Sequence, residues 1–91
     1  RKNGEKIMIT SQNFAIGKER RRVNYCVSDN TSVSRYHAII TKKGSDYYVA
    51  DQKSSNFTYV NGVQLSPYQE TLLTDRSTLK LSDEEFEFHL S

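Results

Sequence analysis

The stretch Glu85-Phe86-Glu87-Phe88-His89-Leu90 decides the fold class. In an extended strand its three apolar side chains fall on one face and its three polar ones on the other, whereas on a helix they would scatter around the axis. The same alternation recurs upstream. Ile7 and Ile9 share a face, as do Phe14 and Ile16, Tyr25 and Val27, Ala38 and Ile40, Tyr47 and Val49, and Leu79 and Leu81. β-branched and aromatic residues fill these runs, as a pleated surface favours. Asn3-Gly4 and Asn61-Gly62 read as type I′ hairpin turns, which need positive φ at both central positions. Lys43-Gly44-Ser45-Asp46 reads as another tight turn, and Pro67 as a turn between strands. No segment keeps a 3.6-residue apolar period. The chain is therefore all-β, about ten short strands, most simply packed as a two-sheet sandwich. Arg1-Lys2 reads as the end of a first strand whose beginning is cut away.

Ninety-one residues make one domain, 1–91, expected to be excised from a larger protein. Lys plus Arg number 13 and Asp plus Glu 11, a net charge of +2, which argues against a general nucleic-acid binder with a basic surface. No apolar run is long enough to span a membrane. A single cysteine, Cys26, excludes an internal disulfide framework and a cysteine-based zinc site. Within a strand-like run it reads as a buried small apolar residue. Two isolated histidines offer no metal-ligand spacing, and there is no nucleophile-elbow signature. Asp83-Glu84-Glu85 reads as a solvated turn rather than an acid/base pair. The expectation is a protein that is not an enzyme and needs no metal or cofactor.

Three polar groups sit at strand ends, where loops held by a sheet carry function. They are Gly17-Lys18 with Glu19-Arg20-Arg21-Arg22, then Val33-Ser34-Arg35-Tyr36-His37-Ala38, then the run from Asp51 to Gly62. Together they offer cations, hydroxyls, amides and backbone N–H groups, a set suited to a tetrahedral dianion such as phosphate.

In this order and spacing the three groups resemble the forkhead-associated (FHA) domain family. Gly17-Lys18 resembles its Gly-Arg pair and Ser34 to His37 its Ser-x-x-His motif. Asp51, Ser54, Asn56, Thr58, Val60, Asn61 and Gly62 resemble its Asp-x-x-Ser-x-Asn-Gly-Thr-x-Val-Asn-Gly stretch, and Leu72 to Leu81 its Leu-x-x-Gly-Asp-x-Ile segment. The resemblance implies a two-sheet antiparallel β-sandwich of about eleven short strands that recognises phosphothreonine peptides with loops at one end. It implies that Lys18, the Ser34 hydroxyl, the Arg35 backbone N–H and Ser55 contact the phosphate, and that Asn56 bonds the peptide backbone. Arg20, Arg21 and Arg22 would be additional phosphate contacts. Gly17, His37, Asn61 and Gly62 would be structural, with His37 bracing the Ser34 loop. The implied partner is a threonine-phosphorylated protein, the product of a Ser/Thr kinase, in the cytoplasm or, in a eukaryote, the nucleus. Neither nucleic acid nor a membrane is the expected partner. The alternative reading is a phosphate-independent scaffold with a decayed site. Two departures motivate it. Lys18 keeps the arginine's charge without its planar fork, and Phe57 stands where the family has a glycine, a strained position if that glycine uses positive φ.

Overall fold

The computed structural model describes residues 7–9 and 11–90. Nine strands run in chain order: β1 Asn13–Gly17, β2 Tyr25–Cys26, β3 Ala38–Lys43, β4 Asp46–Asp51, β5 Thr58–Val60, β6 Val63–Gln64, β7 Thr71–Leu73, β8 Thr78–Leu81 and β9 Glu84–Glu87. They form a five-stranded sheet of order β2-β1-β3-β4-β7 and a four-stranded sheet of order β6-β5-β8-β9. The pairings are antiparallel except β1 with β2, where Ile16 faces Tyr25 in parallel. Among the described residues no helix is long and apolar enough to cross a membrane.

Alternation places the core. Phe14 and Ile16 of β1, Ala38 and Ile40 of β3, Val49 of β4 and Leu73 of β7 point from the larger sheet. Val60, Leu79, Leu81 and Phe86 meet them from the smaller one, and all are buried. The aromatic side chains seal the margins as packing residues: Tyr25 sets its ring edge-on to Phe86 and Tyr47 to Phe88. The turns follow their glycines. Asn61 and Gly62 both take positive φ (50° and 82°) between β5 and β6, as a type I′ turn requires. Gly44 (φ 64°) leads the two-residue β3–β4 turn. The segment around Pro67 carries the chain from the smaller sheet back to the larger, pinned by the Tyr68 N–H donating to the Asp51 carbonyl at 2.7 Å.

Three expectations need correction, and two more fall outside the described residues. No strand forms at residues 7–9, although Ile7 and Ile9 still pack against the core while Met8 faces out. The alternating run at the chain's end pairs only through Glu87. Phe88 stays buried because its N–H and carbonyl bond Ser77 and Arg76, and Leu90 is 48% exposed. Cys26 is half-buried, its thiol 3.4 Å from the Lys18 carbonyl, because short β2 lies at the sheet edge. The Asn3-Gly4 turn and the Arg1-Lys2 strand lie outside the described residues.

Candidate functional site

The ends of β1, β3 and β4 bring the three polar groups together. The segment after β1 zips onto the one before β3: Lys18 N–H donates to the Ser34 carbonyl and Glu19 N–H to the Arg35 carbonyl, both at 3.0 Å. Gly17 permits this approach. A Cβ built there would lie 2.2 Å from the Arg35 carbonyl oxygen, well inside contact distance, so no larger residue fits without moving the loop.

His37 is fully buried and joins two loops. Its Nδ1 accepts the Ser34 N–H at 2.9 Å, and its Nε2–H donates to the Phe57 carbonyl at 2.9 Å. The two bonds define one tautomer, the neutral ring protonated on Nε2. Burial lowers the His37 pKa below its ordinary 6.5, while the Phe57 carbonyl and the Asp51 charge pull it upward less strongly. Phe57 itself takes φ 70°. That left-handed conformation aims its carbonyl at both His37 and the Ser82 N–H (3.0 Å). The loop therefore keeps the backbone shape a glycine would take, and phenylalanine adopts it under strain.

Below this brace lies a buried carboxylate. Asp51 Oδ1 accepts the Ser54 and Thr58 hydroxyls, the latter at 2.6 Å, and its Oδ2 accepts the Ser54 N–H at 3.0 Å. Three donors on one carboxylate fix the turn that presents Ser55 and Asn56. A further tether ties the Ser34 loop to the β8–β9 turn. Asn30 donates to Asp83 (2.7 Å) and Glu84 (3.2 Å), and Ser32 bonds Asn30, Ser82 and Asp83. Asp83 is thus a structural tie rather than a free turn carboxylate, and Glu84 already belongs to β9.

Lys18, Ser34, Arg35, Ser55 and Asn56 all line one depression of about 420 Å³. Thr31, Ser32, Val33 and Tyr36 complete it. Sequence reading assigned none of these four to the site, since loop residues share no period, although Val33 and Tyr36 flank the Ser34-Arg35 pair. The hydrogen-bond inventory sets its chemistry. The Ser34 hydroxyl oxygen accepts the Ser55 N–H at 3.0 Å, which leaves its own O–H to donate outward. Asn56 spends its Nδ2 on the Ser32 carbonyl at 2.8 Å, leaving Oδ1 as an acceptor. The Lys18 ammonium, the Arg35 N–H and the Arg35 guanidinium have no partner among the described residues. The lining holds no carboxylate. Donors and cations thus outnumber acceptors, as an anion requires. Arg20, Arg21 and Arg22 do not line the depression; they stand exposed in the turn beyond Lys18. A second depression of about 430 Å³ lies at the opposite end of β1, around Ser11, Lys42 and Gly44. It lacks such a set, and the Lys42 ammonium sits over the Tyr47 ring, 5.8 Å from its centre.

A β-sandwich that gathers cations, hydroxyls and backbone amides in the loops at one end is a recognition module built to take an anionic group. The chain belongs to the FHA domain family, which it matches over residues 14–82. It is 34% identical over 68 residues to the transcriptional regulatory protein EmbR of Mycobacterium bovis and Mycobacterium tuberculosis, a match covering 75% of this chain and 17% of EmbR. The structure of M. tuberculosis EmbR in complex with a low affinity phosphopeptide superposes with a TM-score of 0.82 at 28% identity, over 91% of this chain and 21% of EmbR. The MEK1 FHA domain in complex with a HOP1 phosphothreonine peptide gives 0.80 at 26% identity, over 96% and 89% of the two chains. The FHA domain of CT664 from Chlamydia trachomatis gives 0.83 at 20% identity, over 92% and 83%, a likeness of fold.

Proposed function

We propose that this domain binds a phosphothreonine-bearing segment of a partner protein. One observation carries the reading: the Ser34 hydroxyl accepts the Ser55 N–H and keeps its O–H free to donate at a depression where Lys18 and the Arg35 N–H are also unpartnered. The phosphate would take those donors together with the Ser55 hydroxyl, and the free Oδ1 of Asn56 would accept a peptide N–H beside the phosphothreonine. The phosphopeptide complexes of EmbR and of the MEK1 FHA domain support the reading. Lysine serves here as a point charge, and the intact brace at Phe57 speaks against a decayed site. Such a module is an interaction domain rather than an enzyme. A reader of kinase products works where kinases do, in the cytoplasm or nucleus.

Hydrogen bonds to charged groups contribute roughly 1.5–3 kcal/mol each. Three or four of them, less the cost of association, give affinity on the order of micromolar. The test is fluorescence anisotropy against degenerate phosphothreonine peptides, with phosphoserine and unphosphorylated pools alongside. Binding is expected in the phosphothreonine pool and should fall about tenfold or more in Ser34→Ala. Equal binding to the unphosphorylated pool, surviving Ser34→Ala, would sink the proposal.

A further inference from the structure

Arg20, Arg21 and Arg22 are exposed in a turn closed by the Arg22 N–H donating to the Glu19 carbonyl at 3.0 Å. Arg22 has a carboxylate within reach, Glu19 at 4.0 Å. Arg20 and Arg21 have no partner among the described residues. The sheet lysines differ. Lys43 pairs with Glu70 at 2.6 Å, and the Lys42 and Lys80 ammonium groups sit over the Tyr47 and Tyr59 rings, 5.8 and 5.7 Å from their centres. Arg20 and Arg21 are thus unpartnered cations on the same loop as Lys18, and Arg76, in the β7–β8 turn, is another among the described residues, placed away from them.

Glu19 apart, the carboxylates tied into the site end, Asp83 and Glu84, stand on the far side of the Ser34 loop from Arg20 and Arg21. Residues 30–35 run between the two charges: Ser34 and Arg35 are bonded to residues 18 and 19, while Asn30 and Ser32 are bonded to Asp83 and Glu84. The site end thus carries arginines on the β1–β2 side and the Asp83 and Glu84 carboxylates on the β8–β9 side.

We infer that Arg20 and Arg21 form a second anion subsite, which takes an acidic or phosphorylated side chain two to four residues from the phosphothreonine in the same peptide. This rests on the phosphothreonine reading above. Arg20 lies at most about 7 Å along the chain from Lys18, the span of about two extended peptide residues, and the arginine side chain extends that reach. A peptide with one extra anion fits the charge layout better than a nucleic acid. A polyanion long enough to cross the site would run into Asp83 and Glu84, and the domain's net charge of +2 offers no broad basic face.

The experiment compares four synthetic peptides on the wild-type domain and on Arg20→Gln/Arg21→Gln. One carries phosphothreonine with neutral flanks. Two add glutamates two to four residues to its N- or C-terminal side, and the fourth replaces those glutamates with a second phosphothreonine. On the wild type, one acidic flank should tighten binding about three- to tenfold at low salt, the second phosphate should do so more, and both gains should shrink as salt rises. In the double variant the acidic and neutral peptides should bind alike. A gain that persists in the double variant, or no gain on either flank, overturns the inference while leaving phosphothreonine reading in place. Failure of all four peptides on the folded wild type overturns both. Salt-sensitive binding of a single-stranded oligonucleotide that needs Arg20 and Arg21, with no flank preference, overturns it in favour of nucleic acid.

Discussion

Phe57 and His37 show how much the site asks of single residues. Phenylalanine at φ 70° holds a conformation that costs an L-residue roughly 1–2 kcal/mol. Phe57→Gly relieves it, partly offset by glycine's greater freedom when unfolded. The expected net gain is about 0.5–1 kcal/mol, a rise in Tm of about 2–8 °C for a domain this size, read by thermal melting; a lower Tm would mean that the phenyl ring contributes packing worth more than the strain. Gly17→Ala works the other way, because its Cβ would collide with the Arg35 carbonyl. Urea denaturation should show a loss of about 1–3 kcal/mol, and phosphopeptide affinity should fall as the Ser34 loop shifts. His37 sets a pH dependence. Its folded pKa lies below the unfolded value of 6.5, so the unfolded state binds the extra proton first. The stability it protects is fully present above pH 6.5 and is lost as pH falls from there through the lower folded pKa, with a slope approaching 1.4 kcal/mol per pH unit. Urea midpoints between pH 7.5 and 5 should fall in the wild type and flatten in His37→Gln.

At the scale of elements, the strands were legible wherever one face is buried. Phe14 with Ile16 and Leu79 with Leu81 alternate because one face meets the opposing sheet. Residues 7–9 alternate equally well yet pair with nothing among the described residues, since alternation reports burial and not the hydrogen-bonded neighbour a strand needs. Lys18, Ser34, Arg35, Ser55 and Asn56, which line one depression, were named through the resemblance of their motifs to the FHA family. Thr31, Ser32 and Tyr36 were not, because a loop has no period and its contacts come from elsewhere: the bond between Asn30 and Asp83 joins residues 53 positions apart. The turn after β4 depends on Asp51, whose carboxylate accepts three bonds. Asp51→Asn would set amide hydrogens against hydroxyl or N–H donors. It should destabilise the domain by about 1–3 kcal/mol and disorder residues 54–56, visible as faster exchange of the Ser54 and Ser55 amides. Unchanged exchange would assign the turn's shape to its backbone alone.

Across the whole molecule, the site is where the two sheets are laced together. Lys18 and Ser34 come from the larger sheet, Phe57 enters the smaller one, and Ser82 and Asp83 reach back from its β8–β9 turn. Cutting that last lace should loosen the loop without unfolding the sandwich. In Asp83→Ala, amide exchange across residues 30–34 should speed up, while the change in urea stability stays within about 1 kcal/mol, as for an exposed polar contact. Equal exchange in the variant and wild type would show that Ser82 holds the loop by itself. The lacing also has a temporal side. The bond between Ser32 and Asp83 spans 51 residues, and the one between Ser34 and Ser55 spans 21, so each forms only after a long stretch of chain has closed on itself. A ribosome that has released the β3–β4 hairpin has made Lys18, Ser34 and Arg35 but not the turn that steadies them. During synthesis the domain would thus be blind to its ligand until its last hairpin has emerged.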